Sequence, residues 1–169
     1  MALVSGLMVA AAIAATHAES FTHFDNYTRA HGAAQLVGRP MLVILNPAAD
    51  SSADPVELQE VRRTVQRREL LEEYVVCVLD TSTEHGAQCQ ELFEATDLPR
   101  VVVIDKQQKM QIFRTSQPLD NELWSQVLIS FRDGVAGPNP LTKTISSSRS
   151  VNQNPTATAP LRYSQPCST

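Results

Sequence analysis

The sequence predicts a three-layer α/β domain in which a central mixed β-sheet is flanked by helices. Three observations carry this. Residues 40–45, 74–80 and 100–105 are short, nearly continuous apolar runs, the pattern of strands buried on both faces. The stretches before and between these runs place apolar residues at helical spacing. The third run is followed, across a polar turn, by a fourth at 110–116 that is close enough to be its hairpin partner. Strands joined through helices pair in parallel and a hairpin pairs antiparallel, so the sheet is mixed and its helices cover both faces.

In chain order, Phe24, Tyr27, His31 and Ala34 form one stripe of a short helix that stops near Gly38. The first strand, Pro40-Met41-Leu42-Val43-Ile44-Leu45, runs into Asn46-Pro47 and a polar loop that ends at Asp54. Asp54 before Pro55 reads as an N-cap followed by a favoured first helical residue, with Leu58, Val61 and Val65 on one face of the helix that follows. After the second strand, Thr81 and Glu84 suit a capping box for a helix through Ala95 that carries Cys89, Leu92 and Phe93. The last helix shows the stripe Leu123, Trp124, Val127, Leu128 and Phe131.

The chain of 169 residues has room for one domain and some unpacked sequence. Its 43% hydrophobic and 19% charged residues suit a soluble core, and at 5% aromatic that core is built mostly from aliphatic side chains. The net charge of −4 is unevenly spread: residues 1–18 carry no Lys, Arg, Asp or Glu, and residues 137–169 carry Lys143, Arg149 and Arg162 with no acid, which leaves −7 on the middle. An acidic body excludes a phosphate backbone as partner, because nucleic-acid binding needs clustered cations.

Residues 1–18 form an uncharged apolar run ending in small residues, with Thr16 and Ala18 placed for cleavage before Glu19. The reading is a cleaved export signal, which implies periplasmic or secreted protein and no stable membrane insertion after cleavage. The competing readings are an uncleaved anchor, for which the run is short, and a buried or disordered N-terminus. In residues 137–169, 16 of 33 are Ser, Thr or Pro without apolar periodicity, the composition of a disordered tail. Residues 19–136 remain as the folded domain.

The element order, together with Asp97-Leu98-Pro99-Arg100 running into the third strand, resembles the thioredoxin superfamily. The similarity covers roughly residues 21–134 and includes Gly38-Arg39-Pro40 before the first strand and Val78-Leu79-Asp80 at the end of the second. It implies a thioredoxin-like fold and a cis peptide bond at Leu98-Pro99. In redox-active members two cysteines separated by two residues lie between the first strand and its helix, where the helix start favours a thiolate. That position falls near Asp50, Ser51, Ser52 and Ala53, and no cysteine precedes Cys77. The family's dithiol chemistry therefore does not transfer. Relatives bind extended peptides beside the proline, so the resemblance implies a binding surface at Asp50, Ser51, Ser52, Ala53, Leu98 and Pro99.

Other residues offer weaker chemistry. The three cysteines, Cys77, Cys89 and Cys167, match neither a zinc module nor a disulfide scaffold. Cys77 lies in an apolar strand, where a thiol acts as a small hydrophobe. Cys89 is spaced from His85 by one helical turn, which suits packing, thiol activation or one edge of a metal site, although two ligands do not make one. Asp50 and Asp54 read as carboxylates that cap and solvate a helix start. Arg62, Arg63, Arg67 and Arg68, set among Glu57, Glu60, Glu69, Glu72 and Glu73, read as a solvated face. Asn26-Tyr27-Thr28 is a glycosylation sequon. No phosphate loop, dinucleotide fingerprint or Gly-x-Ser-x-Gly is present, so no cofactor is expected. Two functions remain open: an exported, redox-inactive module that binds a peptide or protein, and an atypical thiol–disulfide oxidoreductase using Cys89 or Cys77.

Overall fold

A computed structural model describes residues 22–141. The expected signal segment, most of the expected tail and Cys167 lie outside the described residues. The elements run α1 (Tyr27–Val37), β1 (Met41–Asn46), α2 (Leu58–Val61), α3 (Val65–Leu71), β2 (Val75–Asp80), α4 (Glu84–Leu92), β3 (Arg100–Ile104), β4 (Gln111–Thr115) and α5 (Asn121–Phe131). The four-stranded sheet has the order β2-β1-β3-β4, with β1 parallel to β2 as expected; β3, although joined to β2 through α4, runs antiparallel to β1, against the expectation for helix-joined strands, and β4 is antiparallel to β3.

The apolar run of β1 is continuous because both of its faces are covered. Met41, Val43 and Leu45 join a core with Ala30 and Ala34 of α1, Cys77 and Leu79 of β2, and Cys89 of α4. Leu42 and Ile44 join the opposite core with Val61, Leu71 and, from α5, Trp124, Val127, Leu128 and Phe131. The expected three layers are therefore present, and the stripe on the last helix faces the sheet at Trp124, Val127, Leu128 and Phe131, while Leu123 stays outside that core. Gly38 adopts φ 65 and ends α1, its N–H and that of Arg39 both donating to Ala34 O at 2.9 and 3.3 Å.

Several local expectations are corrected. Phe24 is not helical: its N–H donates to Val76 O and its carbonyl accepts from Val78 N, both at 2.8 Å, so it bridges the outer side of β2, and α1 starts at Tyr27 behind an Asn26 cap. The single helix expected after Asp54-Pro55 is two short ones. The first begins at Leu58 behind Glu57, which makes no side-chain cap bond, and the second begins behind Thr64, whose hydroxyl accepts from Arg67 N at 3.2 Å. The break turns Val65 outward, to 61% exposed. It turns Arg67 inward, so this arginine is no part of a solvated face.

Arg67 is fully buried and donates from Nη2 to Asn121 Oδ1 at 2.8 Å, tying α3 to the start of α5. On α4 the cap is Thr83, accepting from Gly86 N at 3.0 Å, and not Thr81; the helix ends at Leu92, which is exposed. Met110 stands before β4, in a turn ordered by Asp105, whose Oδ1 accepts from Lys109 N and Met110 N at 2.7 and 3.0 Å. At the end of the described residues, Leu141 packs against the same core as α5.

This division between a two-sided strand and exposed helix positions is measurable. Ile44→Ala removes a fully buried side chain and is expected to cost about 2–5 kcal/mol in urea unfolding. Val65→Ala on the exposed side of α3 is expected to change stability by no more than about 0.5 kcal/mol.

Candidate functional site at the end of the central strands

The register places Asn46 of β1 beside Asp80 of β2 and Leu45 beside Arg100 of β3. The loop leaving β1, the turn leaving β2 and the segment entering β3 therefore meet at one end of the sheet. Asn46 organises this end. Its side-chain Oδ1 accepts from Val56 N at 2.8 Å while its Nδ2 donates to Val56 O at 3.1 Å, a pair of bonds that closes the loop over ten residues. Its main-chain carbonyl accepts from Thr81 N at 3.1 Å and from the Thr81 hydroxyl at 2.9 Å, which binds the next turn to the same point.

The clamp explains two of the corrections. Val56 has both main-chain groups taken by Asn46, so a helix cannot pass through it from Pro55, and Asp54 stands exposed with nothing to cap. Thr81 spends its hydroxyl on Asn46 O, leaving Thr83 to cap α4. That helix comes against the end of β2 because residue 86 is glycine: a Cβ there would lie 1.9 Å from Asp80 O.

Asp50, Ser51 and Ser52 are exposed and Ala53 is half-buried. Ser51 forms a small turn of its own, its N–H donating to Ala48 O at 2.9 Å and its hydroxyl accepting from Ala53 N at 3.2 Å. These residues do not sit on a helix start, since α2 begins only at Leu58 and spans four residues. The helix-terminus field that favours a thiolate is therefore displaced from them. Leu98-Pro99 is cis, as the resemblance implied. Leu98 packs against the core shared by α1 and α4, and Pro99 is half-buried. The approach to β3 is tied to β4 by Ser116, whose hydroxyl donates to Asp97 O at 2.8 Å and accepts from Arg100 Nη1 at 3.2 Å.

The cysteines are elsewhere. Cys77 lies opposite Val43, within the sheet, and is fully buried; Cys89 is 3% exposed. Both are free thiols of the same core. Burial pushes the Cys77 thiol up to about 12, with further contributions from Cys89 and Asp25 nearby. Burial likewise raises Cys89. The histidine one turn from Cys89 does not relieve this. His85 Nε2 accepts from Tyr27 N at 3.0 Å, satisfying an amide at the first residue of α1, and Cys89 Sγ lies 3.7 Å from that same nitrogen. The Nε2 lone pair that faces the thiol is thus engaged by the Tyr27 amide.

Among the described residues no group of three or more His, Cys, Asp or Glu side chains could hold a metal ion, and no helix is long and apolar enough to cross a membrane. Sequence reasoning missed Asn46, Ser116 and the structural role of His85. Only an asparagine at a strand end hinted at the first of these, and no spacing pattern marks the other two.

No family model matches the chain, and no curated protein matches it. Among solved structures it is similar to a thioredoxin from Thermus thermophilus, at 17% identity and a TM-score of 0.49, over 66% of this chain and 89% of that one. It is also similar to a DsbH oxidoreductase, at 13% identity and a TM-score of 0.46, over 78% and 94% of the two chains. The mixed sheet with helices on both faces and the cis proline entering β3 make the domain a thioredoxin-like fold.

The buried thiol has a consequence for stability. The unfolded chain ionises Cys77 near its ordinary value of 9.0, whereas the folded chain keeps the proton to about 12. The contribution is intact below pH 9 and is lost as pH rises through this window, because the unfolded state then releases a proton that the folded state holds. Chemical denaturation at stepped pH is expected to show stability falling above pH 9, with a shallower fall in Cys77→Ala. Cys89, Tyr27 and Tyr74, each raised by burial, add to the fall in the same direction.

Proposed function

We propose that this is an exported, redox-inactive thioredoxin-like module that binds an extended peptide or protein segment at the sheet end formed by residues 46–57 and Leu98-Pro99. The observation that carries the reading is the separation of thiols from that end. The loop after β1 presents Asp50, Ser51, Ser52 and Ala53, and both described cysteines are buried in the core with raised pKa values. A dithiol catalyst needs an attacking thiolate and a resolving thiol within reach of one another and of the substrate. Here the exposed groups are a carboxylate and hydroxyls, which can hydrogen-bond a peptide and do not exchange disulfides. The acidic body speaks against a nucleic-acid partner.

The mature protein is expected to show no reduction of insulin disulfides above the dithiothreitol-only rate. In a Cys167→Ser background, Cys77 and Cys89 are expected to react with an aromatic disulfide reagent only at the rate of unfolding. Catalysis that disappears in Cys89→Ser or Cys77→Ser would instead establish the atypical oxidoreductase.

Export rests on the apolar run of residues 1–18 and its small-residue exit. Intact-mass measurement of the protein expressed in its own host is expected to give a chain beginning near Glu19 in the periplasmic or culture fraction. Met1 retained on a soluble cytoplasmic species would overturn export.

A further inference from the structure

The outer edge of β4 carries a feature that the sheet-end reading does not use. β4 is the last strand of the order β2-β1-β3-β4, and among the described residues no strand pairs with its outer side. Two grooves, of about 700 and 570 Å³, run along it and share Arg114 and Asn139. The second reaches Arg100, Ser116 and Asp97, immediately after the loop that carries Pro99. Arg100 extends from the start of β3 and Arg114 lies opposite Val102, one alternation along, so both guanidiniums stand on one face of the sheet.

Neither arginine is in an ion pair among the described residues. Arg100 donates from Nη1 to Ser116 Oγ at 3.2 Å, and its Nε is buried without an acceptor. The carboxylate in the groove, Asp97, accepts instead from the Thr96 hydroxyl at 3.2 Å. A domain body of net −7 thus presents, beside an open strand edge, two cations that its own acids leave unpaired.

We propose that the β4 edge binds an extended acidic segment of a partner protein, its main chain pairing with β4 and a glutamate or aspartate side chain held by Arg100 and Arg114. The proposal rests on the peptide-binding reading above and adds the partner's chemistry. An open strand edge supplies sequence-independent main-chain hydrogen bonds, and the flanking side chains choose the partner. A guanidinium pair selects a carboxylate through forked, charge-assisted bonds. The same charges disfavour a second copy of this chain. Antiparallel self-pairing about the middle of β4 would bring Arg114 close to its own equivalent, and like charges across a strand pair destabilise it.

The test uses the uniformly 15N-labelled mature protein and two six-residue peptides, one alternating threonine with glutamate and one alternating threonine with lysine. The acidic peptide is expected to shift the amides of residues 111–117 with saturation below about 1 mM, and the basic one to shift none of them. Arg114→Glu, at an exposed position, is expected to keep its melting temperature and to weaken the acidic peptide at least about tenfold. Arg114→Lys is expected to retain part of the affinity, as a point charge without the fork. N-methylation of alternate peptide amides is expected to abolish binding by blocking strand pairing. No shift in residues 111–117 up to about 5 mM, or affinity unchanged in folded Arg114→Glu, would overturn the proposal. Shifts confined to residues 47–57, 98 and 99 with either peptide would also overturn it while leaving the sheet-end reading in place.

Discussion

The structure depends on the burial of β1 from both sides. Residues 41–45 are all fully buried, with alternate side chains entering opposite cores. At about 1.5–3 kcal/mol for each large aliphatic side chain removed from water, this one strand contributes a substantial share of the hydrophobic stabilisation. It also supplies the hydrogen-bonding edges on which β2 and β3 assemble. A strand so placed cannot slip in register, because a one-residue shift would exchange the side chains assigned to the two cores. Everything built on the ends of β1 inherits that rigidity.

The end of the sheet at Asn46 is where this rigidity is handed to irregular chain. Asn46 is the last residue of β1 and only half-buried, yet it binds the connections that follow β1 and β2, through Val56 on one side and Thr81 on the other. A loop of ten residues would otherwise be free to explore many conformations. The two side-chain bonds to Val56 close it at its base, so its exposed tip is displayed from a fixed foundation. The short helices beyond it lean on the opposite core through Val61 and Leu71, and Arg67 links them to α5.

The same clamp explains which parts of the structure were legible in the sequence. The strands could be read because two-sided burial writes itself as an uninterrupted apolar run, and α5 could be read because one-sided burial writes a helical stripe. Both patterns depend on neighbours within a few residues. Asn46 acts across ten residues to Val56 and thirty-five to Thr81, and local motifs at Asp54-Pro55 and at Thr81 gave way to it. Phe24 was misread for a similar reason: its spacing fits a helix, but its main chain is claimed by Val76 and Val78 of a distant strand. Arg67 looked like one more cation in a charged band. Its burial follows from how α5 packs over α3, which no spacing within residues 62–68 reveals.

The distribution of reactive groups follows from this architecture. A cysteine in β2 or on the inner face of α4 lies in the core because those positions are apolar contacts first, and burial holds the thiol in its neutral form. His85, on the helix that starts beside the loop, is committed to the Tyr27 amide and thereby to fastening α1 against α4. Among the described residues no base holds a loop hydroxyl: Ser51 accepts from Ala53 N, and a serine without a base is a weak nucleophile. What remains at the surface is hydrogen-bonding capacity on a rigid sheet end and, on β4, an outer edge that no strand pairs with among the described residues, flanked by Arg100 and Arg114. Both described cysteines lie in the core, away from these groups.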